Sequence, residues 1–337
     1  MKRKSLIPLV LILVVCLLGM TLTSCADGTS NGGSTSAEPV EIKLVGKDGQ
    51  EQSVDLTTLE SITGEASFKK STGAIVGPAS LTGPKLVDVL DLIGGIKEGE
   101  AIAIIANDGY EMTLTYDQVM GEVMTYDEEG QALQVGGLDA IVAIESSDEG
   151  VLESPPRICY IGEGNPISDG HFWVKDIAEI RMASSVDEWE LSLSGIEEAT
   201  CDRSTFESAA TCPDTTHPSQ EFESTNKDGE TEVYLGVPLW VMVSMVDGAD
   251  DEDGHYRFNR DLSQKGYTVQ VISADGYTVE FDSKDVAYND GIFLAYLVND
   301  EPLDEDSGPL QLTGPNLPDK KHMVKQVKEI KLVNLPE

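Results

Sequence analysis

Three cysteines in the body of the chain are its best candidates for redox or metal chemistry. A thiolate is a nucleophile and a soft metal ligand, whereas paired thiols outside the cytoplasm tend to oxidise. Cys201 and Cys212 would close a short loop, and we predict a disulfide between them. The alternative is a zinc site of Cys201, Cys212 and His217, although this set lacks a fourth ligand at the usual spacing. Cys159 lies in the apolar run Arg157–Ile161 and is predicted to be a core residue.

The first residues carry signals for export and anchoring. The basic residues 2–4 precede the apolar run Leu6–Leu18, which is shorter than the roughly 20 residues that a membrane span requires. The run leads to Leu-Thr-Ser-Cys25, a sequence typical of a lipobox, with a plain secretory signal as the alternative. We therefore predict a lipoprotein signal peptide at 1–24, a lipid on Cys25 and a flexible Gly- and Ser-rich tether at 25–39. The expected location is the extracytoplasmic face of a cell membrane.

The charge balance excludes one class of partner. The chain has 337 residues, with 60 Asp and Glu against 23 Lys and Arg, which gives a formal net charge of −37. Such a charge repels nucleic acid, so we predict no DNA or RNA partner.

An acidic segment at 247–254 invites comparison with a calcium loop. Placing Gly254 at the sixth position of an EF-hand puts Ala249 first and Arg260 twelfth, where carboxylates are required. The EF-hand is therefore rejected. An ordinary solvated loop is expected, with loose calcium binding by clustered carboxylates as the alternative.

The histidines give no catalytic pattern. None of the four, His171, His217, His255 and His322, is paired in sequence with Ser or Asp as in a known catalytic motif. The chain also lacks a Gly-rich phosphate loop, a nucleophile elbow and a zinc-protease helix motif. We predict no catalytic residue.

Three blocks occur twice in the same order, which predicts two copies of one domain. Gly109 and Gly276 lie 167 residues apart, each in an Asp-Gly-Tyr sequence. The closing runs beginning at Val174 and Val324 also correspond, as do the blocks around Gly83 and Gly236. We therefore predict a first repeat at 40–185 and a second repeat at 186–337.

Each repeat is predicted to be rich in strands with a few short helices. The Asp-Gly pairs are hairpin signals, because glycine accepts the positive φ that such turns require. Apolar residues recur at helical spacing in Pro84–Ile93 and Pro238–Val246, each with a proline at its start. We predict an α+β fold of two tandem β-rich domains.

These blocks resemble the molybdopterin-binding domain of the sulfite oxidase family. The second repeat shows the resemblance best, in segments similar to the family's helix start, central hairpin, Leu-Ala-Tyr stretch and closing strand: Gly236–Leu239, Asp275–Tyr277, Phe293–Leu303, Gly308–Leu312 and Lys320–Leu332. The first repeat resembles the family more weakly. The resemblance implies the family's fold in two diverged tandem copies within a bacterial lipoprotein.

The residues that hold the cofactor in this family depart from its pattern. The family binds molybdenum through one cysteine in a strand that precedes the Gly-Val-Pro-Leu block, but the corresponding Phe68–Leu81 has none. In the second repeat the nearest, Cys212, lies 24 residues before Gly236 across a polar segment. The family's arginine is replaced by Gln311 there, whereas the first repeat keeps Arg157.

The cofactor-binding candidates that the resemblance implies are therefore Arg157, Lys321 and Lys325. Without a placed thiolate we predict no metal ligand and no bound cofactor, with molybdopterin as the alternative. The preferred function is a membrane-anchored binding or interaction module, with the membrane and a redox or surface protein as partners. The alternative is a molybdopterin-dependent oxidoreductase with the cofactor in the second repeat. A cysteine lining a basic cleft beside Arg157 or Lys321 would favour that alternative.

Overall fold

The structure is a computed structural model that describes residues 38–71, 73–213, 217–226, 229–249 and 256–336. The predicted signal peptide, Cys25 and nearly all of the tether lie outside these residues, as does most of the acidic segment 247–254. Residues Pro39–Glu337 cluster as a single unit. No helix in the described ranges combines the length and apolar character needed to cross a membrane.

The fold is mainly β, so the predicted α+β class is wrong. Strands hold 43% of the described residues and helices only 15%. The strands are β1 Glu41–Val45, β2 Glu51–Asp55, β3 Ser61–Lys69, β4 Ile75–Pro84, β5 Ala101–Ala106, β6 Glu111–Thr115, β7 Met124–Tyr126, β8 Ala132–Val135, β9 Asp139–Ala143, β10 Glu145–Ser146, β11 Arg157–Ile161, β12 Ile167–Asp169, β13 Ile177–Ala183, β14 Glu190–Ser194, β15 Glu198–Asp202, β16 Gln220–Thr225, β17 Thr231–Pro238, β18 Thr268–Ser273, β19 Thr278–Asp282, β20 Phe293–Val298, β21 Glu301–Pro302, β22 Gln311–Thr313 and β23 Val327–Val333.

The helices are short and pack against the sheets. The α-helices are α1 Leu86–Asp91, α2 Tyr116–Val119, α3 Arg203–Thr211, α4 Leu239–Ser244, α5 Arg260–Lys265 and α6 Ser283–Val286. In the described ranges, 3-10 helices span Leu56–Thr58, Gly170–Phe172 and Lys320–His322. Of the α-helices, α3 is the longest at nine residues, about 13 Å. The helices therefore cover sheet edges and surfaces and form no layer of their own.

The predicted repeat appears in the sheet topology. One five-stranded sheet has the order β2-β1-β13-β5-β6, and another has the order β15-β14-β23-β18-β19. The first strand of each repeat pairs in parallel with its last strand, β1 with β13 and β14 with β23, while the other pairs are antiparallel. The two sheets thus have the same order and the same strand directions. The domain boundaries at 185/186 remain a prediction.

Each repeat also has further strands, and these differ more. In the first repeat a six-stranded sheet has the order β10-β4-β3-β12-β7-β8, and β9 pairs with β11. In the second repeat β16, β17, β20 and β21 follow one another, with β22 on β20. Each repeat buries its own apolar cluster, around Trp173 and Tyr160 in the first and around Trp240 and Phe206 in the second.

The repeated glycine block has a packing explanation. A Cβ on Gly83 would lie 2.0 Å from the carbonyl oxygen of Val142, and one on Gly236 would lie 1.8 Å from that of Leu294. Both distances are far below van der Waals contact, so a larger residue would push two strands apart. Each glycine therefore permits the same close approach of backbones in its repeat.

Several local predictions are confirmed. Gly109 and Gly276 have φ of 90° and 87° in the turns of antiparallel hairpins. The predicted helices at Pro84 and Pro238 contain α1 and α4. Local turn and periodicity signals thus located these elements correctly.

Candidate functional site

Helix α3 of the second repeat covers an edge strand of the first. The Thr211 hydroxyl donates to the carbonyl oxygen of Glu111 at 2.7 Å. At Thr113, the carbonyl accepts from Arg203 Nη2 at 3.2 Å and the N–H donates to Glu207 Oε2 at 3.3 Å. Both strand residues belong to β6, which ends its sheet. The helix therefore satisfies main-chain groups that an open edge would expose.

A buried ion pair holds this helix in place. Arg203 Nη1 lies 2.7 Å from Glu207 Oε2, one helical turn away, and Arg203 Nη2 lies 2.8 Å from Glu188 Oε1. The side chains of Arg203 and Glu207 are 3% and 12% exposed. Each charge therefore depends on its partner, because an uncompensated buried charge is costly.

Two cavities of about 760 and 610 Å³ adjoin α3, and we call them together the inter-repeat cleft. They share four lining residues: Gly170 and His171 from the first repeat, and Ser208 and Cys212 from the second. The larger cavity is also lined by the end of β3 and by the start of β15. The cleft therefore exists because α3 lies against the first repeat.

His171 joins the two repeats through a chain of hydrogen bonds. Its Nε2 lies 3.1 Å from Ser204 Oγ, and the Ser204 hydroxyl donates to Asp202 Oδ1 at 2.9 Å. Because the Ser204 proton is directed at the carboxylate, His171 Nε2 carries a proton and donates to Ser204. Burial lowers the pKa of His171, and the nearby Asp169 and Asp202 only partly oppose that shift. The imidazole is thus a neutral donor, and this arrangement is not a catalytic triad.

Asp202 is held as a carboxylate at the N-cap of α3. It accepts from the Thr205 N–H at 2.7 Å, as an N-cap side chain does. Burial would raise the pKa of Asp202, but the Thr205 and Ser204 hydrogen bonds and the neighbouring His171 lower it below the ordinary value. The carboxylate therefore stays charged on the cleft wall.

Tyr110 also connects the two repeats. Its hydroxyl lies 2.9 Å from Ser208 Oγ on α3 and 3.2 Å from the carbonyl oxygen of His171, to which it donates. Burial raises the pKa of Tyr110, so the hydroxyl stays protonated and available as a donor.

A lysine lies where β3 ends in the larger cavity. Lys69 Nζ is 3.4 Å from the centre of the Tyr126 ring, and the Tyr126 hydroxyl donates to Asp169 Oδ2 at 2.7 Å. The ring face attracts the ammonium, while Asp169 accepts from the phenol. Burial and the Asp169 carboxylate raise the pKa of Tyr126. Lys69 therefore rests on an aromatic ring, and it forms no ion pair with any carboxylate that the structure describes.

Arg157 lines the smaller cavity, and two of its donors are used by the main chain. Its Nε donates to the carbonyl oxygen of Trp173 at 2.9 Å and its Nη1 to that of Val151 at 2.8 Å. The guanidinium also lies 4.7 Å from the centre of the Phe68 ring. It is 6% exposed. The structure thus gives Arg157 a structural role in the first repeat.

The two lysine candidates lie away from Arg157 in the second repeat. Lys325 Nζ donates to Ser307 Oγ at 2.7 Å, and the exposed Lys321 lies in the 3-10 helix Lys320–His322. Neither lines either cavity of the cleft. The three predicted cofactor-binding residues are therefore not brought together.

The predicted disulfide is not formed. Cys201 is a free thiol with no exposed surface. It faces the core from β15, whereas Cys212 lies beyond the end of α3 and lines the cleft. Spacing in the sequence could not show this opposite placement. The zinc alternative fails for the same reason, and no group of three metal-ligating side chains occurs in the described ranges.

The remaining thiols differ in access. Cys159 has no exposed surface, which confirms it as a core residue. Burial raises the pKa of both Cys159 and Cys201, so both stay as neutral thiols. Cys212 alone of these three lines the cleft, beside Arg157 in the smaller cavity.

The cleft has a sulfur but is not basic. Four cationic residues line it: Lys69, Lys70, Arg157 and Lys175. Four carboxylates also line it: Asp108, Asp169, Glu197 and Asp202. Lys175 is also 2.8 Å from Glu153. The oxidoreductase alternative requires a cysteine in a basic cleft. Cys212 supplies the cysteine, but the charge of the cleft is balanced and therefore not basic.

Sequence reasoning missed the contribution of α3. No helix was predicted over residues 203–211, and their partners on β6 lie 90 to 100 positions earlier in the sequence. The signal that was available is Asp202, since an aspartate three residues before a threonine suits a helix N-cap. The His171–Ser204 contact had no signal in the sequence.

Comparisons with known proteins do not assign the chain to a family. It matches no protein-family model and no curated protein. Among solved structures it is similar to the crystal structure of the sulfane dehydrogenase SoxCD from Paracoccus pantotrophus, at 11% identity and a TM-score of 0.32. That alignment covers 88% of this chain and 78% of the other. A TM-score this low does not establish a shared fold.

Proposed function

We propose that this chain is an extracytoplasmic binding module, anchored to a membrane by a lipid on Cys25, with its ligand site in the inter-repeat cleft. One observation carries this proposal: both repeats contribute charged, aromatic and hydroxyl side chains to a cavity of about 760 Å³. Small-molecule sites are concave and measure roughly 300–1,000 Å³. They also combine apolar walls with a few polar groups, as this cleft does.

The residues around the cleft do not fit a molybdenum cofactor. In the first repeat, the stretch expected to supply a cysteine, Phe68–Leu81, contains none; it runs from the end of β3 into β4. Arg157, the expected partner of a phosphate, already donates to two carbonyl oxygens. A phosphorylated ligand would also face carboxylates that match the cations in number. The residues that line the cleft therefore provide no basis for a reaction at molybdenum.

Cys212 supports a second candidate function, a molybdopterin-dependent oxidoreductase of the sulfite oxidase type. It lines both cavities, and a thiolate is the ligand that this family offers to molybdenum. The resemblance in sequence had placed the cofactor in the second repeat, to which Cys212 belongs. The cavity around it, however, is shared with the first repeat.

Elemental analysis separates the two candidates. The protein is purified from a host that synthesises molybdopterin, and molybdenum is measured per chain. The binding module predicts a negligible molybdenum content, whereas a value near one per chain would overturn it. The Cys212→Ser variant identifies the ligand in that case, because loss of molybdenum with unchanged thermal stability would assign the thiolate to the metal.

The anchor is tested separately. With a lipid on Cys25, the protein sediments with membranes and the Cys25→Ser variant does not mature into a lipidated form. Mass spectrometry of the N-terminal peptide measures the added acyl mass. An unmodified Cys25 in membrane-associated protein contradicts the anchor.

A further inference from the structure

Charged side chains line both walls of the larger cavity, and on the first-repeat wall Asp169 lies with the lysines and accepts from the Tyr126 hydroxyl. Lys69 and Lys70 come from the end of β3 in the first repeat. Glu197, just before β15, comes from the second repeat. None of these three side chains forms an ion pair among the described residues, although all line the same cavity.

Lys69 lies beside the cavity without a carboxylate contact. Of the fourteen lysines in the described ranges, Lys43, Lys47, Lys85 and Lys175 lie within ion-pair distance of a carboxylate, so an unpaired lysine is common in this chain. Lys69 is set apart by its position on the Tyr126 ring at the cavity wall. Among the described residues, no carboxylate lies within ion-pair distance of its ammonium.

The acidic wall is fixed in position. Asp202 is held by hydrogen bonds from the Thr205 N–H and the Ser204 hydroxyl. Its pKa is lowered, so it is charged at neutral pH. The hydroxyl-bearing residues Thr200 and Ser208 line the same wall. An amine that binds there would meet a carboxylate that is already ordered, so binding does not cost the entropy of ordering that side chain.

We infer that the cleft binds a zwitterion, namely an amino acid or a short peptide with free termini, and this inference rests on the proposed binding function. The ligand carboxylate lies at Lys69 and Lys70, and its ammonium lies at Glu197 and Asp202. A ligand with both charges compensates both walls. A simple anion or a simple amine compensates one wall and faces repulsion from the other.

The size of the cavity agrees with this ligand class. A volume of about 760 Å³ exceeds what a single small ion needs and lies within the range of sites for small organic molecules. The aromatic rings of Phe68, Tyr126 and Tyr256 supply apolar surface between the charged groups. Side chains of a peptide could pack there while the termini meet the charged walls.

Thermal unfolding with three ligand pools tests the inference. The first pool contains free amino acids and random tripeptides with free termini; the second contains their N-acetylated forms and the third their C-terminal amides. A ligand that binds only the folded state raises Tm. We expect a rise of about 3 °C or more with the first pool at millimolar concentration, and less than a third of that rise with each blocked pool.

Variants locate the site. Glu197→Gln and the double variant Lys69→Met/Lys70→Gln each weaken binding of the first pool at least tenfold. The matched controls Glu198→Gln and Lys97→Met change exposed residues that do not line the cleft, and they leave binding unchanged. Calorimetric titration with one tripeptide recovered from the first pool measures the affinity of each variant.

Two outcomes overturn the inference: equal stabilisation by a blocked pool, or no stabilisation by the first pool. Equal stabilisation that is still lost in the cleft variants leaves the binding function standing and removes the zwitterion alone. Molybdenum near one per chain in the same sample marks failure of the proposed function instead.

Discussion

The equivalent edges of the two repeats have the same local structure but different surroundings. In the first repeat the Tyr110 hydroxyl donates to the carbonyl of His171 at 3.2 Å, and in the second the Tyr277 hydroxyl donates to that of Lys321 at 2.8 Å. Helix α3 covers the first edge, where Tyr110 contacts Ser208. Tyr277 is 49% exposed. The cleft therefore arises from the covering helix, and the repeat alone does not produce it.

A second difference lies in the strand that follows the inner loop of each repeat. Arg157 pairs with Ala143 in the first, and Gln311 pairs with Ala295 in the second, so the two side chains occupy equivalent positions. Arg157 satisfies two carbonyl oxygens. Gln311 is 1% exposed, and its Nε2 forms no hydrogen bond of normal length, although its amide interacts with the Tyr234 hydroxyl. At equivalent positions, Arg157 thus forms two buried hydrogen bonds to the main chain, whereas Gln311 Nε2 forms none of normal length.

Removing the arginine that holds α3 gives the largest expected effect. Arg203→Met leaves Glu207 buried beside Thr113 without its cation. Breaking a buried ion pair on one side costs about 3–5 kcal/mol, and we expect the free energy of unfolding to fall by that amount. Urea denaturation at pH 7 measures the loss.

A surface pair between Glu111 of the edge strand β6 and Arg181 of β13 provides the control. Arg181 lies 2.8 Å from Glu111, and both side chains are more than a third exposed. Arg181→Met should therefore cost less than about 1 kcal/mol. Equal losses in the two variants would show that α3 does not depend on its buried pair.

The Arg157 network comes next in size. Arg157→Gln gives the first repeat the side chain of the second and leaves at least one buried carbonyl, of Val151 or Trp173, without a donor. Charged hydrogen bonds contribute about 1.5–3 kcal/mol each, so we expect a loss of about 3 kcal/mol in the free energy of unfolding. Denaturation followed by tryptophan fluorescence measures it. A loss below about 1 kcal/mol would mean that the first repeat tolerates glutamine as the second does.

These comparisons show which features a sequence reveals. The hairpins at Gly109 and Gly276 were predictable because a turn depends on adjacent residues. The α+β class was wrong because strands such as β2 and β3 carry no apolar run: β2 is polar and mostly exposed, and β3 buries only Ala66, Ser67 and Phe68. Their stability comes from pairing with distant strands, which periodicity along one segment does not report.

The cleft was beyond the reach of the sequence for a related reason. Arg157 was correctly singled out, but its partners, the carbonyls of Val151 and Trp173, are fixed by how the chain folds around it. Cys201 and Cys212 are close in sequence. Side chains of a strand alternate between its two faces, however, and Cys201 lies on the face of β15 that packs in the core. Spacing sets how far two residues can be separated and does not set the direction of their side chains.

The covering contact also predicts a pH dependence. Since burial lowers the pKa of His171, the unfolded chain binds a proton there more readily than the folded one. The associated stability is present above pH 6.5, the ordinary histidine value, and is lost as the pH falls toward the folded-state pKa. Around the ring, Asp169 and Asp202 oppose this loss, while Arg203 and Lys69 favour it.

The His171→Gln variant isolates that contribution. Between pH 6.5 and 5 the wild-type chain should lose up to about 1.4 kcal/mol more per pH unit than the variant, the limit for one proton. Urea denaturation at several pH values gives both slopes. Parallel slopes would remove His171 from the pH dependence. Changing His322, which lies on the equivalent and uncovered edge, is the control.

The smallest expected effect is at Gln311, the residue of the second repeat that is equivalent to Arg157. Gln311→Leu replaces a buried amide whose Nε2 forms no hydrogen bond of normal length by an apolar side chain of similar size. Removing an unsatisfied buried polar group is favourable, so we expect the free energy of unfolding to rise by about 1 kcal/mol. The same substitution at Arg157 should lower it, because leucine offers no donor to Val151 or Trp173. Changes of opposite sign in the free energy of unfolding would show that the two repeats share a backbone and differ in polar contacts. A loss of stability in Gln311→Leu as well would mean that the Gln311 amide has a partner in solution. The contrast with Arg157 would then disappear.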